Sequence, residues 1–163
     1  MLTKEQVYEK LKELKIPFEI TDHAAVYTID EMAALMSPKD IKNVAKNLFL
    51  RDAAGKRHFL VVLREDKKAD LNAIRAQIGS SHLSFASPER LMQYLGLTKG
   101  AVTPLGILND ENHEVEILFD ADLVNRPRLG FHPCENTATV WLSFASLRKI
   151  IEKQGNKFKT IRI

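Results

Sequence analysis

Two apolar runs joined by a short polar turn constrain the fold of this chain more than any other feature. Residues 44–50 and 58–63 carry the clustered apolar side chains that are typical of strands. The sequence Asp52-Ala-Ala-Gly55 between them has turn composition. A short turn can join antiparallel strands, whereas parallel strands need a long crossover. The pattern therefore predicts a β-hairpin and a sheet that is at least partly antiparallel.

Helix signals lie on both sides of this hairpin. The clearest is the order Ser87, Pro88 and Gly96, because a cap, a first-turn proline and a C-terminal glycine bracket an apolar stripe. Further helices are predicted to begin at Thr3 (ended by Pro17), Thr28 (ended before Pro38), Asp70 (ended by Gly79) and Ser146 (ended by Gly155). Further strands are predicted around residues 18–20, 115–119, 138–142 and 158–163. This irregular alternation predicts a mixed or antiparallel sheet in an α+β or irregular α/β domain.

Length and composition narrow the class of protein. A chain of 163 residues fits one domain spanning residues 1–163. The net charge of +3 permits nucleic acid binding without implying it. A single cysteine excludes an intramolecular disulfide and suits a reducing compartment, and no apolar run approaches the length of a membrane span. We therefore expect a soluble cytoplasmic domain with no membrane partner.

Several common catalytic motifs are missing. The chain has no GxxxxGK[ST] phosphate loop, no GxGxxG after a strand, no HExxH, no GxSxG and no CxxC. Its five histidines never fall three or four positions apart, so local metal-ligand spacing is absent. The sequence therefore predicts neither a metal site nor a cofactor.

Lys46 is the first residue whose placement needs an explanation. In a strand it shares a face with Val44, Leu48 and Leu50. If that face is apolar, an unpaired ammonium there is costly unless it lines a cavity and meets an anion or a polarised carbonyl. The alternative is that Lys46 lies at the frayed start of the strand and extends into water.

Two loops could contribute to the same chemistry. The first runs from Gly100 through Pro104 to Gly106, and its small residues could form a nest of backbone donors for an oxyanion or phosphate, or merely an ordinary connection. The second, residues 130–137, carries His132, which could orient a polar group near neutral pH or act only as a hydrogen-bonding loop residue. Cys134 could be a nucleophile but is more typically a small buried apolar residue.

Three motifs in register resemble the YbaK-like family, whose domain is also inserted into bacterial prolyl-tRNA synthetases. They are Ala45-Lys46-Asn47-Leu48-Phe49-Leu50, Gly100-x-x-x-Pro104, and Gly130-Phe-His132-Pro-x-x-Asn136-Thr137. The resemblance covers nearly the whole chain and is closest to the free-standing members called ProX or PrdX. It implies an α+β fold with a mixed, largely antiparallel sheet flanked by helices.

The resemblance also implies an activity and a set of site residues. The expected reaction is hydrolysis of the ester that joins a wrong amino acid to tRNA(Pro), acting in trans, with prolyl-tRNA synthetase as a possible partner. Lys46, Gly100 and His132 match the family's catalytic positions. The expected substrate-binding residues are Asn47, Ala101, Val102, Thr103, Pro104, Phe131 and Asn136.

The Phe-His-Pro segment favours alanyl-tRNA(Pro) as the substrate over cysteinyl-tRNA(Pro), which a related branch clears. A cavity walled near Lys46, Val102 and Phe131 could admit a methyl group and exclude the proline ring. Two other readings stay open. The pocket could bind an aminoacyl or nucleotide end without hydrolysing it, or Cys134 and His132 could form a cysteine hydrolase.

Overall fold

The computed structural model describes residues 1–163 and contains six α-helices and eight β-strands. The helices are α1 (Lys4–Glu13), α2 (Ile29–Leu35), α3 (Pro38–Ile41), α4 (Leu71–Ile78), α5 (Pro88–Leu95) and α6 (Phe144–Gln154). The strands are β1 (Glu19–Asp22), β2 (Ala45–Arg51), β3 (His58–Arg64), β4 (Ser84–Phe85), β5 (Val115–Asp120), β6 (Leu129–Phe131), β7 (Ala138–Leu142) and β8 (Phe158–Ile161). Two short 3-10 helices span Pro104–Asn109 and Ala121–Leu123. None of the helices combines the length and apolarity needed to cross a bilayer.

The strands form two sheets. The larger has the order β4-β2-β3-β5-β8, and the smaller has the order β1-β7-β6. β2 and β3 are an antiparallel hairpin, β2 also pairs antiparallel with β4, and the smaller sheet is wholly antiparallel. Only the β3–β5 and β5–β8 pairs are parallel. The predicted hairpin and the predicted α+β fold with a mixed, largely antiparallel sheet are therefore confirmed.

Several element boundaries differ from the sequence-based expectation. α1 ends at Glu13, four residues before Pro17, because Lys15 adopts a left-handed conformation (φ 57°) and the amide of Ile16 turns back to the carbonyl of Leu11. This turn buries Ile16 in the core. α6 begins at Phe144 rather than Ser146, since the hydroxyl of Ser143 caps it by accepting from the amide of Ser146.

The shortest elements were not predicted from the sequence. α3 has four residues and β4 has two, too few to show a period. Part of the predicted 100–106 loop is the 3-10 helix that begins at Pro104, which Thr103 caps. Two of these segments do carry local caps, Ser37 before α3 and Thr103 before the 3-10 helix, but they are too short for a periodic pattern.

The core lies on both faces of the larger sheet. One face, with Ala45, Phe49 and Leu60, belongs to a 25-residue apolar cluster that also includes residues of α1, α5 and α6. The other face, with Leu50 and Phe59, packs in a smaller cluster with α4. β3 is therefore buried along almost its whole length, which is why its sequence is continuously apolar.

One titratable group lies deep in this core. His58, at the start of β3, is 1% exposed, and its Nε2 accepts a hydrogen bond from Arg90 Nη1 at 3.1 Å. Its ring stacks on Tyr94 with centroids 3.9 Å apart. Burial, and then the positive charge of Arg90, lower the pKa of His58 below its ordinary value.

The buried His58 makes stability depend on pH. The unfolded chain takes up the proton near pH 6.5, whereas the folded chain resists it, so the free energy of unfolding decreases as pH falls below that value. We expect His58→Gln to flatten this decrease by up to about 1.4 kcal/mol per pH unit in urea unfolding between pH 7.5 and 5.5. His82→Gln, on the exposed surface, is the control. An unchanged slope in His58→Gln would refute the assignment.

Candidate active site

An uncovered strand edge creates the main cavity of the molecule. β4 pairs with β2 only at Leu50 and Arg51, while a single parallel bridge joins Val44 to Gly130 of the smaller sheet. Between these two points no strand pairs with this edge of β2. Residues 44–49 line a cavity of about 520 Å³ along this edge. The remaining walls come from the segments 26–32, 85–91, 99–102 and 130–132, together with Thr139.

Lys46 reaches this cavity from the face of β2 that the alternation of side chains predicts. Its register partner is Leu63, and it shares its face with Leu48 and Leu50, which pack in the smaller apolar cluster. Its side chain is half-buried, and its ammonium donates to the backbone carbonyl of Lys67 at 2.7 Å. The ammonium is therefore held at the margin of an apolar face and does not extend freely into water.

Gly100 is confined by both conformation and space. Its φ is +93°, and a Cβ built there would lie 2.6 Å from Cδ1 of Tyr27. Any other residue would be strained and would displace the tyrosine ring. Glycine is therefore required where the backbone passes closest to the aromatic wall.

The backbone amides of the Gly100 loop are mostly free. The amide of Ala101 donates to the carbonyl of Thr98, whereas the amides of Gly100, Val102 and Thr103 donate to no acceptor within the chain. Unpaired donors beside a cavity suit the developing negative charge of an oxyanion. The loop therefore carries free backbone amides of the kind that the predicted donor nest needs.

His132 contributes a neutral imidazole to the cavity wall. Its Nδ1 lies 3.0 Å from the carbonyl of Ala138, so Nδ1 carries the proton and donates, and Nε2 keeps its lone pair. Burial is the main cause of a lowered pKa for His132, with the neighbouring His23 adding to it and the Ala138 hydrogen bond opposing it. Near neutral pH this residue is uncharged, and its Nε2 is able to accept a hydrogen bond.

Asn47 supplies a second acceptor. Its Oδ1 is buried and has no hydrogen-bond partner, while its Nδ2 makes one long bond of 3.4 Å to the carbonyl of Ala45. The residue lines the cavity. A buried acceptor without a partner is costly, and a donor on a bound molecule would remove that cost.

The residues singled out from the sequence divide into two groups. Those that line the cavity together are Lys46, Asn47, Gly100, Val102, Phe131 and His132. Those outside its lining are Ala101, Thr103, Pro104 and Asn136. Members of the second group shape the loops: Thr103 caps the 3-10 helix, and Asn136 donates to the carbonyl of Val26, on the opposite wall, at 2.8 Å.

Sequence reasoning missed two exposed aromatic residues at the cavity. Tyr27 is 66% exposed and Phe85 is 63% exposed, yet both contribute to its lining. Tyr27 precedes the cap of α2, and Phe85 lies in a two-residue strand, so neither belongs to a periodic pattern. The only signal was the presence of a large aromatic residue outside any periodic pattern.

Cys134 does not have the properties of a nucleophile. It is buried and does not line the cavity. Burial is the main cause of its pKa being raised to about 12, which leaves almost no thiolate near neutral pH. The hypothesis of a cysteine hydrolase therefore lacks a reactive thiolate.

Comparison with known proteins identifies a family for this chain. The family model described as the aminoacyl-tRNA editing domain matches residues 23–150. The prolyl-tRNA editing protein ProX of Acetoanaerobium sticklandii is 51% identical over 100% of this chain and 99% of its own length. The prolyl-tRNA synthetase associated domain-containing protein 1 of Danio rerio is 31% identical, over 92% of this chain and 82% of its own length.

A solved structure shows the same fold. The crystal structure of a candidate trans-editing enzyme for prolyl-tRNA synthetase aligns with a TM-score of 0.75 and 18% identity, covering 100% of this chain and 99% of its own. The chain therefore belongs to the aminoacyl-tRNA editing domain family, which confirms the resemblance of its motifs, and by that membership it is an enzyme that deacylates aminoacyl-tRNA.

Proposed function

We propose that this chain hydrolyses mischarged alanyl-tRNA(Pro) in trans. The observation that carries the proposal is that Lys46, Gly100 and His132, which are far apart in the sequence, line one cavity. The similarity to a prolyl-tRNA editing protein supports tRNA(Pro) as the substrate, and prolyl-tRNA synthetase is the natural partner for such an activity. The acceptor end would enter the cavity with the aminoacyl ester beside the Gly100 loop.

The reaction needs positioning and charge stabilisation more than a strong base, because an aminoacyl ester is already activated. Water attacks the carbonyl carbon, and the free amides of Gly100 and Val102, which line the cavity, are the candidates to stabilise the oxyanion. The ester C–O bond then breaks, one proton of the water passes to the ribose oxygen, and the other is released to solvent as the amino acid leaves with a free carboxylate. No covalent intermediate with the enzyme is required.

The remaining polar groups have complementary tasks in this scheme. The ammonium of Lys46 would lie near a phosphate or the ester carbonyl of the terminal adenosine. The lone pair on Nε2 of His132 can accept from the attacking water or from the free ribose hydroxyl, which would itself help to activate that water. The unpaired Oδ1 of Asn47 can accept from the α-ammonium of the amino acid. This division of tasks explains why no acid/base pair of carboxylates is needed.

Selectivity for alanine would follow from size. A synthetase pocket that fits proline also admits the smaller alanine, since a missing methylene costs only about 1–3 kcal/mol of binding. A second, narrower pocket can discriminate in the opposite direction, because it admits alanine and excludes the larger proline. Val102 and Phe131 line this cavity and are the candidates for the wall that excludes the pyrrolidine ring.

Lys46→Ala is the direct test of the mechanism. We expect deacylation of alanyl-tRNA(Pro) to fall by about 100-fold or more, as happens when a charge-stabilising donor is removed from an active site, while circular dichroism stays unchanged. Lys42→Ala, an exposed lysine before β2, is the matched control and should keep full activity. Normal turnover by Lys46→Ala would remove the lysine from the mechanism.

A panel of charged tRNAs tests the substrate. We expect alanyl-tRNA(Pro) to be hydrolysed at least about 10-fold faster than cysteinyl- or seryl-tRNA(Pro), and prolyl-tRNA(Pro) to be spared. Faster release of cysteine would assign the protein to the cysteine-clearing activity. Binding of all four without release of any amino acid would identify a non-catalytic module.

The exposed aromatic residues at the cavity should hold the unpaired nucleotides of the acceptor end by stacking. This kind of contact is worth about 1–3 kcal/mol per base. We expect Phe85→Ala to raise KM for an alanyl-minihelix by about 10-fold with little change in kcat, and Tyr27→Phe, which keeps the ring, to behave as the original chain. Ile20→Ala, an exposed apolar residue outside the cavity, is the control. An unchanged KM in Phe85→Ala would contradict stacking at this position.

A further inference from the structure

The turn after β3 holds the ammonium of Lys46. The acceptor is the backbone carbonyl of Lys67, 2.7 Å from Nζ. This carbonyl belongs to a turn in which the amide of Lys67 donates to the carbonyl of Arg64 at 3.1 Å. The position of the Lys46 ammonium therefore depends on how firmly this turn is fixed.

A buried carboxylate anchors the turn. Asp120, at the end of β5, is completely buried, and β5 runs parallel to β3, so its carboxylate comes level with the end of β3. One oxygen accepts from the amide of Arg64 at 3.1 Å. The other accepts from Nζ of Lys67 at 2.9 Å and from the amide of Asp122. The same carboxylate therefore binds both ends of the turn, Arg64 and Lys67.

Lys67 keeps its positive charge in this setting. Lys67 is mostly buried, and its Nζ also lies 2.7 Å from Oδ2 of Asp122. Burial opposes the charged form, but the hydrogen bonds to Asp122 and Asp120 outweigh it and raise the pKa of Lys67. A completely buried carboxylate needs such a partner, because an unpaired charge in that position is strongly unfavourable.

We propose that the Asp120–Lys67 ion pair is a positioning device for Lys46: it fixes the turn whose carbonyl holds the ammonium of this cavity-lining residue. The inference rests on the proposed function of Lys46. An ammonium has three N–H donors, of which the Lys67 carbonyl takes one, so two remain for a phosphate or a carbonyl of the substrate. A long and flexible side chain is thereby kept in one place before substrate arrives. Lys67 and Asp120 act through Lys46 and do not themselves touch the substrate.

The test is Lys67→Met, which removes the ion pair with Asp120, together with that to Asp122, but keeps the backbone carbonyl. The first measurement uses no substrate: the protein is acetylated with an N-hydroxysuccinimide ester, and mass spectrometry follows the modification of Lys46 relative to the exposed Lys42. We expect Lys46 to react about 3-fold faster or more in the variant. The second measurement is deacylation of alanyl-tRNA(Pro), for which we expect kcat/KM to fall by about 10-fold. Lys67→Arg, which keeps the positive charge, should restore most of both.

The matched control is Arg57→Met. It breaks another partly buried ion pair of the same sheet, between Arg57 and Glu116, which has no contact with the turn. We expect it to leave the Lys46 labelling rate and kcat/KM unchanged. Equal effects of Arg57→Met and Lys67→Met would mean that any loss of an ion pair suffices, and this would overturn the proposal.

The remaining outcomes are equally decisive. Lys46 labelling and deacylation both within twofold of the original chain in Lys67→Met would also overturn it. If Lys67→Met does not fold, the double variant Lys67→Met with Asp120→Asn removes both charges together and carries the same expectations. If the original chain has no deacylase activity, the proposed function fails, whereas the labelling rates still decide whether the ion pair positions Lys46.

Discussion

The open edge of β2 is the constraint on which the rest of this molecule depends. A strand edge with unpaired backbone groups is normally covered, because it invites pairing with other chains. Here β4 pairs only with Leu50 and Arg51, and the one bridge to the smaller sheet joins Val44 to Gly130. The two sheets therefore cannot close on each other along residues 45–48. The space left between them is the cavity, so the site follows directly from an incomplete sheet.

Each charged or titratable group at or behind this site is held by a fixed contact or by burial. Lys46 lies on an apolar face and meets a carbonyl, His132 is kept neutral by burial, and Asp120 is buried but paired with Lys67. Each of these groups would be costly if left unpaired in a core. Held in this way, Lys46 and His132 give the cavity wall preorganised polar groups that do not need to rearrange as charge develops in the reaction, while Asp120 lies outside the lining. This arrangement suits the hydrolysis of an activated ester.

Several features were readable from the sequence because they depend on local rules. The hairpin followed from two apolar runs and a turn, and α5 followed from Ser87, Pro88 and Gly96, which cap and end it as expected. The face of Lys46 followed from the alternation of side chains along β2. Other features had too little local signal, even though α3 has a serine cap and a first-turn proline like α5. α3 and β4 are too short to show a period, and α1 ends where burial of Ile16 requires it, not at Pro17.

The sequence by itself determined the class of fold, the family and the residue types available for chemistry, because strand period, caps and motif spacing are short-range properties of the chain. Only the tertiary structure decided which of those residues meet. It placed Gly100 against the ring of Tyr27, and it formed the hydrogen bond from Asn136 to the carbonyl of Val26. It also paired Lys67 with Asp120, which lies more than 50 residues away in the chain. Such contacts arise from strand order and the packing of two sheets, and no local pattern records the distance between residues that are far apart in the chain.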